Sequence, residues 1–127
     1  DGKYCWRLTN EPDFGVLQCG TPANNDKDTA NYSFGPLENT PSTTDYPAGD
    51  IVLARTANNA YGQGHQFFIT WEDTTIPTDS AGGYSVFGKV TSGLPELIKQ
   101  IVDKGIKDKK TDGTPKVTTT IKSATIK

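Results

Sequence analysis

Two blocks constrain this chain more than any others. They are Gly62-Gln63-Gly64-His65-Gln66-Phe67-Phe68-Ile69-Thr70 and, further on, Tyr84-Ser85-Val86-Phe87-Gly88-Lys89-Val90. Each runs from small residues into aromatic and β-branched ones, which is strand composition. A polar, proline-containing stretch over 71–83 separates them, so the simplest geometry is two strands joined by a long loop. Ile51-Val52-Leu53-Ala54-Arg55, launched by the turn Tyr46-Pro47-Ala48-Gly49-Asp50, reads as a third strand. Near the start, Tyr4-Cys5-Trp6-Arg7-Leu8 and Val16-Leu17-Gln18-Cys19 flank a connection rich in Asn, Pro, Asp and Gly. That pattern predicts a hairpin with a long loop, in which Arg7 and Gln18 can share one face.

A single helix is predicted near 94–106. Leu94, Leu97, Ile98, Ile101 and Val102 recur at helical spacing, Pro95 sits in the first turn and Gly105 closes it. Residues 21–50 read as a long polar loop pinned by Tyr32, Phe34 and Leu37, 107–116 as a charged loop, and 117–126 as a terminal strand. The order, strands then one helix then a strand, is that of a mostly β barrel or sandwich with a helix at one end. A length of 127 residues suits one domain over 1–127.

A net charge of −2 gives no nucleic-acid footprint, so no nucleic-acid partner is expected. No apolar run approaches the roughly 18 residues of a membrane helix. The one histidine, His65, reads as a surface or turn residue, and with two cysteines it makes a four-ligand zinc site improbable. Cys5 and Cys19 either pair, as in an exported protein, or stay thiols, as in the cytosol. Eleven lysines stand against two arginines, Arg7 and Arg55, both beside apolar segments. An arginine there either neutralises a carboxylate or points into a site. Phe67 and Phe87 read as core, and Glu72, Asp73 and Asp79 as a solvated loop face.

Taken together, Gln66-Phe67-Phe68-Ile69, Val86-Phe87-Gly88-Lys89-Val90 before the helix, Leu53-Ala54-Arg55-Thr56, Cys5-Trp6-Arg7-Leu8 and Val16-Leu17-Gln18-Cys19-Gly20 resemble the cyclophilin-type peptidyl-prolyl cis-trans isomerases, in a bacterial, actinobacterial-like form. That branch tends to carry a cysteine in each of the first two strands. The resemblance implies an antiparallel β-barrel, of eight strands in the family, whose first strands and first helix have no counterpart here. A second chain or a further segment would supply them. It implies isomerisation of X–Pro bonds in unfolded or flexible protein segments, with Arg7, Gln18 and Gln66 as the catalytic polar groups. Phe14, Val16, Ala54, Arg55, Phe68, Ile76 and Tyr84 would bind the substrate. No cofactor is implied. The partners would be proline-containing peptides or unfolded proteins, together with cyclosporin-like ligands. An extracellular or membrane-anchored compartment is favoured over a cytoplasmic one. The alternative is a proline-peptide binding module with weak or no catalysis.

This chain departs from the family pattern in places. Trp6 stands where histidine is usual, Tyr84 where many members have histidine, and His65 where a small residue is usual. The loop between Arg7 and Gln18 is long, so strict register places Gly15, not Phe14, at the pocket aromatic.

Overall fold

Alternation along each strand decides which side chains can meet, because successive residues point to opposite faces of a sheet. The computed structural model describes residues 1–27 and 32–126; residues 28–31 of the long polar loop lie outside the described residues. The strands are β1 Tyr4–Thr9, β2 Val16–Thr21, β3 Asp45–Tyr46, β4 Asp50–Arg55, β5 Gln63–Thr70, β6 Thr74–Thr75, β7 Val86–Lys89 and β8 Asp112–Gly113, with helix α1 over Leu94–Gln100. Six of them form one antiparallel sheet in the order β7-β4-β5-β2-β1-β8, and β3 and β6 pair separately. Among the described residues the protein is thus mostly β with one α-helix, as its sequence pattern predicts.

One face of the sheet buries Cys5, Leu8, Leu17 and Cys19 against Val102 and Ile106, with Leu97, Ile98 and Ile101 packed on them. The opposite face gathers Val16, Val52, Phe68 and Tyr46, with Phe14, Ala54, Ile76 and Tyr84 at its margin. Cys5 and Leu8 lie in the same cluster although three residues apart, which a regular strand forbids. The cause is a β-bulge: Cys5 pairs with Cys19, yet the next pair is Arg7 with Gln18, so β1 carries one residue more than β2 there. Without that extra residue Trp6 would face Gln18. The bulge therefore aims Arg7 at the second face, while the Cys5–Cys19 disulfide (S–S 2.01 Å) ties the first.

Several expectations are corrected. The helix stops at Gln100 because Ile101 leaves helical geometry (φ −120°, ψ −59°), and a 3₁₀ turn over Val102–Lys104 then seats Val102 in the core. Gly105 ends it with a positive φ of 91°. Residues 117–126 form no ladder strand. One bridge, Tyr4 with Thr120, and the bonds Cys5 N–H to Thr119 O (2.9 Å) and Ile121 N–H to Lys3 O (2.8 Å) lay this segment along β1, whose irregular start interrupts regular pairing. Phe87 is 56% exposed rather than core, since β7 is a sheet edge among the described strands. Phe34 and Tyr32 are also exposed. The long loop is held there by backbone, with Phe34 and Gln63 exchanging N–H···O bonds of 2.8 and 3.2 Å. His65 lies inside β5 and is half-buried, not on a surface turn.

Gly15 is fixed by space. A Cβ there would stand 2.4 Å from Glu72 Cγ and 2.8 Å from the Trp71 ring. Gly15→Ala should therefore lower unfolding free energy by roughly 1–3 kcal/mol through overpacking, read from urea midpoints; an unchanged midpoint would show that the 71–74 segment yields freely. The disulfide closes a loop with a sequence separation of 14. Replacing both cysteines by serine should cost about 3 kcal/mol on the loop-entropy scale, and reductant should reproduce that loss in the parent protein.

Candidate functional site

The second face of the sheet is concave and holds a cavity of about 160 Å³. A purely apolar cavity of about 150 Å³ holds a benzene-sized ring, so the space suits one small ring rather than a length of peptide. Its floor comes from the middle of the sheet. Val16 begins β2, and Phe68 of β5 is paired directly with Gln18 of β2. Val16 is 2% and Phe68 6% exposed. Ala54 of β4, Ile76 after β6, and Tyr84 complete the apolar wall.

The aromatics are held edge to face. Tyr84 meets Phe68 at 5.8 Å and 76°, and Tyr46 at 6.4 Å and 77°, geometries that aromatic quadrupoles favour. The buried Tyr46 hydroxyl also accepts the Tyr84 N–H at 2.9 Å. Burial, first among its causes, pushes the Tyr46 phenol up. Phe14, not Gly15, supplies the ring at the Arg7 side: the Arg7 guanidinium carbon lies 5.8 Å from its centroid. Gly15 has no room for a side chain, which resolves the ambiguity of register.

The two arginines behave differently. Arg7 sits at the cavity mouth. Its Nε and Nη2 donate to the two carboxylate oxygens of Asp112 (2.9 and 2.8 Å), and its Nη1 donates to Gln18 Oε1 at 3.3 Å. Three of five donors are used, and two N–H groups remain at the Nη end. Gln18 Nε2 in turn donates to Gln66 Oε1 at 3.0 Å, which Trp6 Nε1 also reaches at 3.0 Å. The hydrogen-bonded carboxylate holds Arg7 even higher than usual, and the same bond holds Asp112 below the ordinary carboxylate range.

Arg55 is enclosed: its side chain is 0% exposed. It makes a bidentate pair with Asp79 (2.9 and 3.0 Å) and donates to the carbonyls of Thr56, Gly82 and Gly83. Every N–H of its guanidinium is engaged, and its guanidinium carbon lies 4.3 Å from the Tyr84 ring centroid. Its guanidinium thus serves as a strut that clamps the 79–83 loop and the Tyr84 ring. Asp79, expected on a solvated face, is instead this arginine's counter-ion, and the bond to Arg55 holds its carboxyl well below the usual range.

Nine of the ten residues singled out in the sequence therefore surround one cavity. Gln66 is set one step away, where a second cavity of about 350 Å³ shares Gln18, Ala54 and Arg55 and extends over Tyr32, Ser33, Thr56, Gly62 and Gly64. Sequence reasoning missed Asp112, Asp79 and the Trp6 bond to Gln66. Asp112 is 105 residues from Arg7 and lies in a loop legible only as charged. The available signal was the placement of each arginine beside an apolar segment, where pairing with a carboxylate is one of the two ways to hold it.

Comparison with known proteins bears on this geometry. A family model described as "Cyclophilin type peptidyl-prolyl cis-trans isomerase/CLD" matches residues 8–126. The Mycobacterium leprae protein named "Probable peptidyl-prolyl cis-trans isomerase B" is 30% identical over 129 residues, 94% of this chain and 42% of that protein. The Mycobacterium tuberculosis protein of the same name is 30% identical over 132 residues, covering 96% and 41%. The chain thus spans less than half the length of these relatives. A Cryptosporidium parvum cyclophilin-type isomerase, crystallised in the presence of the dipeptide Ala-Pro, superimposes with a TM-score of 0.69. It is 22% identical, over 95% of this chain and 72% of that one, a likeness of fold. With the family model matching residues 8–126, from the last two residues of β1 onward, this chain belongs to the cyclophilin-type peptidyl-prolyl cis-trans isomerases.

Proposed function

We propose that this chain accelerates cis–trans isomerisation of X–Pro peptide bonds in unfolded or flexible protein segments. The observation that carries the reading is that Arg7 and Phe68 line one ring-sized cavity, Arg7 opposite Gln18 and Gln18 opposite Phe68 in adjacent ladders. Family membership supports it, as does the Ala-Pro present with the Cryptosporidium relative.

The chemistry asks little of the protein. A peptide bond resists rotation by about 18–20 kcal/mol because the nitrogen lone pair is delocalised into the carbonyl. For X–Pro the two planar isomers differ by only about 0.5–1 kcal/mol, so catalysis means binding the twisted state better than either. The proline ring enters the pocket of Phe14, Val16, Phe68, Ile76 and Tyr84. The two spare N–H groups of Arg7 then point towards the prolyl nitrogen, whose lone pair becomes an acceptor only as the amide twists. That interaction exists in the transition state and not in the planar ground states. Gln18 holds the guanidinium, and Gln66 holds Gln18. An extended substrate continues past the ring over Ala54 and Arg55, whose backbone offers β-type contacts, into the second cavity. The Cys5–Cys19 disulfide supports an oxidising compartment outside the cytoplasm for this activity.

In a protease-coupled or NMR exchange assay on an X–Pro peptide, the domain should accelerate exchange. Arg7→Ala should lower kcat/KM by roughly 10²–10³-fold, the usual cost of removing a transition-state donor. Peptide binding with no acceleration by the parent protein would select the binding-module reading instead. Phe68→Ala should raise KM by more than it lowers kcat, because the ring is held in both ground and transition states; the same assay, run across substrate concentrations, separates the two constants.

A further inference from the structure

Among the features outside the pocket itself, the ion pair on Arg7 carries an inference furthest. We propose that Asp112 is a positioning residue for the isomerase reaction, fixing the Arg7 guanidinium from its Nε–Nη2 edge so that the remaining Nη hydrogens face the cavity. This rests on the isomerase reading above.

The placement is built by the sheet. β8 pairs with the end of β1, Leu8 with Gly113 and Thr9 with Asp112, and Asn10 N–H donates to Thr111 O at 2.8 Å. Asp112 therefore stands diagonal to Arg7 on the same face, within reach of a long side chain. Both carboxylate oxygens are used, at 2.9 and 2.8 Å, a side-on fork that fixes the plane as well as the place of the guanidinium. Stability is a poor explanation for it. The side chains are 31% and 39% exposed, and pairs that open to water contribute little to folding. Orientation is what a two-point contact adds beyond a single one. Gln18 completes the hold from the third nitrogen at 3.3 Å, so the guanidinium has no freedom to turn away from the pocket.

Besides Asp112, the titratable groups facing Arg7 are Glu11, on the loop after β1, and Tyr84, across the cavity. Lys110, on the loop carrying Asp112, lies against Gly113. Arg7 keeps its charge at all relevant pH, so Asp112 is the group whose protonation breaks the fork. Its folded pKa is held below the ordinary carboxylate range by Arg7. The pairing is therefore complete above that range and is lost as pH falls through the lowered value.

The test is steady-state exchange kinetics on an X–Pro peptide against pH for the parent protein, Asp112→Asn, Asp112→Glu, Glu11→Gln and Arg7→Ala. Asp112→Asn should lower kcat roughly tenfold to a hundredfold, the scale of a small misplacement of a catalytic group. Its KM and neutral-pH melting midpoint should stay close to the parent's, and Asp112→Glu should recover part of kcat. The parent's kcat should fall on the acid side while Asp112→Asn stays flat, and Glu11→Gln should keep the acid fall. An active parent and an inactive Arg7→Ala beside an Asp112→Asn of unchanged or raised kcat would overturn the role of Asp112 alone. A folded Asp112→Ser of unchanged kcat would do so even if Asp112→Asn failed to fold. An inactive parent would overturn the isomerase reading together with this one.

Discussion

One extra residue in β1 sets up the rest of this structure. Because the ladder passes from Cys5 opposite Cys19 to Arg7 opposite Gln18, the parity of the strand changes between the two pairs. The apolar and disulfide side of the hairpin goes to the helix, and the polar side goes to the cavity. Phe68, next in line across β2, then supplies an apolar floor beside a fixed cation. A regular strand would have turned Arg7 into the helix-packed core, where an unpaired charge is very costly. The long loop between β1 and β2 follows from the same arrangement: it brings Phe14 back over the Arg7 guanidinium while Gly15 slips under the Trp71–Glu72 turn.

The cavity is walled by tightly packed rings on one side and by a partly satisfied arginine at its mouth. Tyr46, Tyr84 and Phe68 are locked by edge-to-face contacts, and the enclosed Arg55 clamps Tyr84 and the loop behind it. That buried ion pair is tolerated because all five N–H donors of Arg55 find acceptors; burial without such satisfaction would cost more than the pairing returns. Arg7 keeps part of its surface in water and part of its hydrogen-bonding capacity unused. The division of labour between the arginines is thus one of satisfaction. One is complete and structural, and the other is incomplete and available.

Much of this was legible in the sequence, and the boundary is physical. The hairpin, the strands over 51–55, 62–70 and 84–90, and the helix start at Leu94 followed from periodicity and turn residues, whereas the grouping of the site residues followed from the resemblance to the cyclophilin-type family. Helix length failed at Ile101 because the need to seat Val102 tightened the last turn. Phe87 failed because composition reports hydrophobicity but not whether a strand is central or at an edge. The terminal strand failed because β-propensity at 117–126 cannot foresee the irregular start of β1 that it lies against. Asp112 and Asp79 were hidden for a different reason. Long-range ion pairs leave no periodic trace, and the clue lay in the arginines rather than in the acids.

The central claim is where the proline ring sits. Isotope-filtered NOE spectra of the labelled protein with an unlabelled Ala-Pro-containing peptide would place it directly. The account predicts contacts from the proline ring protons to the side chains of Phe68, Phe14 and Tyr84, with the residue before proline near Arg7. Ring contacts confined to another surface, such as the exposed edge around Phe34 and Phe87, would contradict it.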